Sequence, residues 1–331
     1  MILYMFMVGL ELNPGLLKHR AHATIVTSHA SITVPFLLGA LLALFLYPRF
    51  SSSDVSFTSF ALFMGVAMSI TAFPVLARIL TDYKMSSSRL GVVALSCAAV
   101  DDVTAWCLLA FVVGITRTHV GEGLFVVVAA LAYIAFMVLV ARPIMRWVAH
   151  RAEAKEETRG PVALVFVALL LSALMGEAIG IHAIFGAFLL GAVIPHDSNL
   201  ARTFRRQLEN VVTILLLPAF FAFTGMRTRI DLLSELGQWL ICALIILTAT
   251  LGKFGGTFAA ARLTGLQWRD AAILGTLMNT RGLMELIVLN VGLELRVISP
   301  TLFAMMVLMA LVTTMLTSPV VRYLKPRPIP Y

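Results

Sequence analysis

The sequence predicts an all-α polytopic membrane protein, and three observations support that prediction. Of its 331 residues, 60% are hydrophobic and 13% are charged, whereas a soluble domain is about half apolar and about a quarter charged. Long apolar stretches follow one another along the chain, and basic residues lie mainly in the short connections between them. Because so few charges are available to cover a surface in water, lipid must be the solvent for much of the chain.

Apolar stretches cover most of the sequence. A helix needs about 20 residues to cross the hydrocarbon core, and only the first and seventh stretches are clearly shorter. The first begins abruptly at Met1 without a basic segment or a small-residue cleavage site, so it is not interpreted as a signal peptide. We expect instead that the chain starts inside a larger architecture. The eleven stretches are 1–14, 23–47, 57–80, 90–115, 123–148, 161–178, 181–195, 209–228, 237–263, 269–295 and 302–324.

The positions of Lys and Arg predict the orientation in the membrane. Most of the 25 basic residues lie in one set of alternate connections and in the tail after Leu324. Basic residues accumulate on the cytoplasmic side, so we expect a cytoplasmic C-terminus and an N-terminus outside. The polar connection at about 149–160 is interpreted as a cytoplasmic linker between two bundles. Although the net charge is +8, no basic stretch interleaved with aromatic residues predicts nucleic-acid binding.

The sequence predicts no cofactor. Cys97, Cys107 and Cys242 lie inside apolar stretches without metal-ligand spacing, which is typical of small apolar side chains. No G-x-x-x-x-G-K-[ST] phosphate loop, G-x-S-x-G turn or H-E-x-x-H metal pair is found. We therefore expect no enzymatic activity, whether of an ATP-driven pump or of a membrane hydrolase.

An adjacent acidic pair, Asp101 and Asp102, lies near the middle of the stretch LGVVALSCAAVDDVTAWCLLAFVV. A charge at mid-membrane costs several kcal/mol, so such residues pair or line a water-filled path. Neighbouring helical residues point about 100° apart, so one carboxylate can face a helix while the other faces a cavity. Their protonation is coupled, which allows protons and cations to replace one another. The alternative is a helix end at the interface, with both aspartates as caps.

Lys253 also lies deep in an apolar stretch, beside Gly252, Gly255 and Gly256. Glycines allow other backbones to approach closely, and a buried ammonium needs a counter-charge. The aspartate pair is the best candidate for that charge. The alternative is that Lys253 extends to the interface, although Arg262 already marks the cytoplasmic end of this stretch.

Two segments are predicted to be interrupted helices. MSITAFPVLARIL contains Thr71 and Pro74, and proline cannot donate a backbone hydrogen bond and disfavours helix at the preceding Phe73. MNTRGLMELIVLN contains a polar run and carries Glu285 four residues beyond Arg281, so these two charges can pair with each other on one helix face or with the exposed groups of the break. Paired interruptions in two halves indicate a transporter site near the midplane, where half-helix dipoles act. Pro74 alone would favour a packing kink. The polar run is Asn279, Thr280, Arg281 and Gly282.

Six ordered motifs resemble the bacterial monovalent cation:proton antiporter family, whose relatives include the plant cation/proton exchangers. They are FMVGLELNPGLL, SITAFPVLARIL, AAVDDVTAW, IHAIFGAFLLGAVIP, LGKFGG and MNTRGLMELIVLNVGL. The resemblance implies a thirteen-helix fold of two inverted repeats, with a dimerisation domain and a core in which two discontinuous helices cross beside the aspartates. About eleven of those helices are expected here, because the family has two more ahead of FMVGLELNPGLL.

The resemblance also implies boundaries and partners. Residues 1–331 would form one exchanger domain, with the rest of the first repeat and a linker helix in 1–148. The second repeat would be 161–324, and 325–331 a short cytoplasmic tail. The expected partners are Na+ or K+, protons, the lipid bilayer and a second copy in a homodimer. The expected location is the bacterial plasma (inner) membrane.

Roles follow from the same resemblance, position by position. Asp102 matches the main cation- and proton-binding carboxylate, and Asp101 matches the aspartate that pairs with the lysine at Lys253. Thr71 matches the first helix break, and Asn279 to Gly282 match the second. The Asp-Asp form resembles the electrogenic branch. The sequence therefore predicts cation and proton competing for one site by alternating access. The alternatives are a proton-uncoupled channel or uniporter, a cation:organic-solute symporter and an inactive membrane scaffold.

Overall fold

The computed structural model describes residues 1–11, 21–52, 54–86, 88–117, 123–155 and 159–324. These residues form helices joined by short turns, and no β-strand occurs among them. The helices are α1 (Ile2–Glu11), α2 (Ala21–Phe50), α3 (Phe57–Ser69), α4 (Phe73–Asp82), α5 (Arg89–Arg117), α6 (Gly123–Phe136), α7 (Arg142–Lys155), α8 (Arg159–Ile179), α9 (Ala183–Val193), α10 (Asn199–Asn210), α11 (Leu217–Arg227), α12 (Leu236–Thr250), α13 (Gly256–Leu263), α14 (Trp268–Met278), α15 (Leu283–Glu294) and α16 (Pro300–Leu324).

Within these ranges, eight helices or runs of successive helices are long and apolar enough to cross a membrane. The bent pair α14 and α15 forms a ninth if it is counted as one span. Large apolar side chains such as Leu139, Leu174 and Ile214 are more than half exposed, as expected where lipid replaces water. The protein is therefore an all-α integral membrane protein, and the predicted fold class is confirmed.

Three of the longer runs contain a π-helical turn. Met137–Ala141 joins α6 to α7, Val211–Leu216 joins α10 to α11, and Leu251–Gly255 joins α12 to α13. Such turns are rare and often lie at functional sites because they widen the helix locally. The third one contains Lys253.

One compact unit comprises the described residues within Met1–Asn13 and Ala110–Met226. In this unit α1 and α9 cross closely, because a Cβ at Gly191 would lie 2.2 Å from the carbonyl oxygen of Phe6. A buried polar contact joins α6 to α8, where the Tyr133 hydroxyl lies 2.6 Å from Ser172 Oγ, which in turn donates to the Gly186 carbonyl at 2.7 Å. These contacts satisfy polar groups that lipid could not.

The second compact unit comprises the described residues within Pro14–Leu109 and Arg227–Tyr331. It contains both interrupted helices, and its apolar core includes Leu76, Cys97, Leu274 and Val321. The units combine segments distant in sequence, and the inverted repeats expected at 1–148 and 161–324 stay a prediction. The linker expected at about 149–160 is helical as far as Lys155, while 156–158 and the tail 325–331 lie outside the described residues.

Candidate functional site

The first interruption separates α3 from α4. Ile70 and Ala72 have extended backbones, with ψ of 139° and 91°, so the chain leaves the helix for three residues. Pro74 lies in the first turn of α4, where a missing backbone N–H removes no helical hydrogen bond. Phe73 is therefore helical, contrary to the expectation from Pro74, and the break lies just ahead of it.

The second interruption separates α14 from α15, whose axes differ by 43°. It runs from Asn279 to Gly282, as predicted. The two breaks meet: the Ala72 N–H donates to the Thr280 carbonyl at 2.9 Å, and Thr71 Oγ1 lies 3.2 Å from the Met278 carbonyl oxygen. Each interrupted helix therefore satisfies backbone groups that the other leaves without helical partners.

Asp101 and Lys253 form a buried ion pair. Lys253 Nζ lies 2.9 Å from Asp101 Oδ2, and both side chains are fully buried. Thr71 Oγ1 donates to the same carboxylate oxygen at 3.0 Å. The sequence predicted this pairing, and the structure also brings the first helix break to it.

Lys253 is held by backbone carbonyls as well as by Asp101. Its ammonium donates to the carbonyls of Ser69 at 2.5 Å and Ser31 at 2.8 Å. The Ser69 carbonyl belongs to the C-terminal end of α3, where helical partners are missing and the dipole is negative. An ammonium has three hydrogens, and all three have acceptors here.

Asp102 is placed differently from its neighbour. Its side chain is 2% exposed, and no described residue donates a hydrogen bond to its Oδ1. A carboxylate in this position is desolvated without the donors that Asp101 has. Its Oδ1 is therefore open to a donor or to a positive charge that the described residues do not supply.

Arg281 and Glu285 form the second buried ion pair, at 2.9 Å. The Arg281 guanidinium also donates to the carbonyls of Ala67 at 2.7 Å and Met68 at 2.6 Å. These carbonyls lie in the last turn of α3. Arg281 and Lys253 together therefore neutralise the C-terminal end of that half-helix.

The other predicted residues of the second break have local roles. Thr280 donates its hydroxyl to the Leu277 carbonyl, and the backbone of Arg281 exchanges two hydrogen bonds with the Thr314 hydroxyl of α16. Asn279 is buried, and its Oδ1 has no partner among the described residues. Gly282 packs against Val75 of α4, whose Cγ2 would lie 2.9 Å from a Cβ.

The charges of the site nearly cancel. Among the described residues, the buried charged side chains are Asp101, Asp102, Lys253, Arg281 and Glu285. Asp101 with Lys253 and Arg281 with Glu285 are two neutral pairs, so Asp102 carries the remaining charge. One proton or one monovalent cation at Asp102 would make the cluster neutral, and neutrality favours burial in a medium of low dielectric constant.

Sequence reasoning missed several groups of the site. Ser28 and Ser31 of α2 donate to the two oxygens of Asp101, at 2.7 Å and 2.6 Å. The only signal in the sequence is two serines three residues apart in an apolar stretch, a spacing that places them on one helix face. Backbone carbonyls as partners of Lys253 and Arg281 leave no signal in the sequence.

An all-α membrane protein with two crossing interrupted helices and a buried, nearly neutral charge cluster belongs to the class of secondary transporters built on discontinuous helices. Residues 1–324 match the family model for the sodium/hydrogen exchanger, transmembrane. The chain belongs to this family, as its motifs predicted.

Named relatives agree with that assignment. The chain is 45% identical to the Na(+)/H(+) antiporter NhaS4 of Synechocystis, over 99% of its own length and 81% of that protein. It is 38% identical to cation/H(+) antiporter 20 of Arabidopsis thaliana and 32% identical to K(+)/H(+) antiporter 1 of Saccharomyces cerevisiae. The chain spans 40% and 38% of those two longer proteins.

Proposed function

We propose that this chain exchanges a monovalent cation, Na+ or K+, for protons by alternating access, with both competing for Asp102 beside Asp101. The observation that carries the proposal is the charge arrangement: two buried ion pairs and one further buried carboxylate. A proton and a monovalent cation each supply the single positive charge that Asp102 lacks. Each can therefore be carried through the membrane in the same low-dielectric site, but not both at once.

The helix breaks supply the rest of the binding site. Thr71 of the first break donates to Asp101, the neighbour of Asp102, and the backbone of this break is hydrogen-bonded to the second break. Carbonyl and hydroxyl oxygens are the ligands that replace water around a small cation. The relatives named as Na(+)/H(+) and K(+)/H(+) antiporters support exchange with protons, and they leave both cations as candidates.

The test is exchange by the full chain in proteoliposomes carrying an imposed pH gradient. Adding Na+ or K+ should dissipate the gradient, and Asp102→Asn should abolish this response. Asp82→Asn makes the same chemical change at an exposed residue of α4 and should leave the response intact. Exchange that survives in Asp102→Asn would overturn the assignment.

The same assay separates the alternatives. A channel or uniporter would conduct the cation without moving protons, so an imposed pH gradient would drive no cation movement. A cation:organic-solute symporter would need an added solute. A membrane scaffold would show neither flux nor stabilisation of the fold by the cation.

We also infer that each chain is built from two inverted repeats and that two chains form a homodimer. The C-terminus would lie on the cytoplasmic side of the bacterial inner membrane. The distribution of Lys and Arg supports this orientation. A reporter fused after Tyr331 that is active only in the cytoplasm tests it, and cross-linking in native membranes tests the dimer.

A further inference from the structure

Helix α2 contacts the buried ion pair at three points. The Ser28 and Ser31 hydroxyls donate to Asp101, and the Ser31 carbonyl accepts from Lys253. We propose that Ser28, Ser31 and Pro35 are positioning residues for exchange: they hold Asp101 as the ionised partner of Lys253 and leave Asp102 as the carboxylate that loads. This inference rests on the proposed function and assigns positioning roles to further residues of the same site.

The first step is the hydrogen bonding of Asp101. Its Oδ1 accepts from Ser28, and its Oδ2 accepts from Ser31, Thr71 and Lys253. An ionised carboxylate accepts at about four sites and donates at none, so four donors suit the ionised form. A proton on either oxygen would displace or turn away one of them.

Ser31 has a choice of acceptors, and its geometry favours the carboxylate. Its Oγ lies 2.6 Å from Asp101 Oδ2 and 2.8 Å from the Ser28 carbonyl. A hydroxyl has one hydrogen to donate, and hydrogen bonds to charged acceptors are shorter and stronger than neutral ones. The hydroxyl therefore points at Asp101 while that group is ionised.

Pro35 explains why the Ser31 carbonyl is free. Inside a regular helix this carbonyl would accept from the N–H of residue 35, but proline has no N–H. Pro35 lies inside α2 and is buried, so the Ser31 carbonyl is left for the Lys253 ammonium. Gly252 permits the approach, since a Cβ there would lie 2.8 Å from Pro35 Cα.

Asp102 receives none of this support from α2. Its Oδ1 accepts from no residue in the described part of the chain, although it neighbours Asp101 on the same helix. The two carboxylates therefore differ in donors, not in burial. This difference assigns the fixed charge to Asp101 and the exchangeable one to Asp102.

The first experiment compares Ser28→Ala/Ser31→Ala with the parent in proteoliposomes over a range of pH. Losing both donors to the ionised Asp101 should let protons inhibit exchange at about a hundredfold lower concentration, because each hydrogen bond to a charged group corresponds to about tenfold and two are removed. Ser31→Thr keeps a hydroxyl and should restore much of the profile. Ser96→Ala removes a buried hydroxyl of α5 that donates to the Val92 carbonyl of its own helix, and should leave the profile unchanged.

A double-mutant cycle shows whether the serines act through Asp101. In an Asp101→Asn background the serine substitutions should cause no further shift, because the charge they hold is gone. An equal shift in both backgrounds, or a shift no larger than that of Ser96→Ala, would overturn the proposal. Failure of the parent to exchange at all would instead count against the proposed function.

A variant that binds the cation without transporting it can still be tested by infrared difference spectra, which record changes in carboxyl protonation when the cation binds. The loss of a protonated-carboxyl signal on cation binding should persist in Asp101→Asn and vanish in Asp102→Asn. The serine double variant should show a second carboxyl signal that Asp101→Asn removes. A signal that belongs to Asp101 in the parent would overturn the proposal.

The second experiment compares two prolines of the same helix. Pro35→Ala supplies an N–H that competes with Lys253 for the Ser31 carbonyl, so the apparent KM for the cation should change by about fivefold. Pro48→Ala changes an exposed proline of α2 and should leave KM unchanged. Because alanine favours helix, Pro35→Ala should not lower the melting temperature. Equal effects of the two substitutions would contradict the role of Pro35.

Discussion

Replacing Arg281 with Met should destabilise the fold severely. The substitution removes hydrogen bonds to the Ala67 and Met68 carbonyls and leaves Glu285 buried without its counter-charge. Breaking a buried pair by removing one partner costs about 3–5 kcal/mol. At about 2 °C for each kcal/mol in a large domain, the melting temperature should fall by about 6–10 °C. The measurement is thermal unfolding of the detergent-solubilised chain, followed by tryptophan fluorescence.

Two further variants divide that loss between its causes. Glu285→Gln removes the counter-charge but keeps both carbonyl bonds of Arg281, so its effect should be smaller. Arg78→Met is the matched control, because Arg78 forms the same i,i+4 pair with Asp82 at the surface, with its side chain 78% exposed. Exposed pairs contribute about 0–1 kcal/mol, so this shift should stay below about 2 °C.

The reasoning would be refuted if Arg281→Met shifted the melting temperature no more than Arg78→Met. It would also be refuted if Glu285→Gln destabilised as strongly as Arg281→Met. In the second case the ion pair alone, rather than capping of the α3 carbonyls, would account for the effect.

Three other predictions concern stability. Na+ or K+ at about 100 times its Kd should stabilise the chain by about 2.7 kcal/mol, and Asp102→Asn should lose this effect in the same thermal assay. Gly191→Ala should lower the melting temperature, because its Cβ would meet a backbone oxygen of α1 at 2.2 Å, whereas Gly225→Ala has nothing within 4 Å and should not. Ser172→Ala should cost about 1–3 kcal/mol by leaving Tyr133 and a backbone carbonyl with fewer partners, as measured by the shift in melting temperature.

The sequence was sufficient to predict the apolar helices and the buried charges. Burial of a charge in lipid is so unfavourable that each such residue stands out, and its partner must lie among the few others. That reasoning predicted a counter-charge for Lys253 in the aspartate pair, which the family resemblance assigned to Asp101, and it gave Glu285 as one candidate partner of Arg281. Both ion pairs are present in the structure. The length of the apolar stretches predicted the helical segments, because a chain that crosses the bilayer must satisfy its own backbone hydrogen bonds.

Other parts of the site could not be predicted from residue types. Backbone carbonyls carry no sequence signal, so the partners of Arg281 at the end of α3 appear only in three dimensions. A proline signals a break, but Pro74 begins the helix after the break, while Pro35 frees a carbonyl inside a continuous helix. Ser28 and Ser31 resemble ordinary small polar residues of a membrane helix until the neighbouring helices are in place.

The mutual bonding of the two helix breaks has a consequence for biosynthesis. Arg281 caps the Ala67 carbonyl from 214 residues further along the chain. At about 5–20 residues per second, ribosomes would take roughly 10–40 s to supply that cap after the first break is made. During this interval the open end of α3 needs water, lipid headgroups or an insertion factor as a temporary partner. The nascent chain should therefore be most vulnerable to quality-control proteases after α3 is synthesised and before Arg281 is available to cap it.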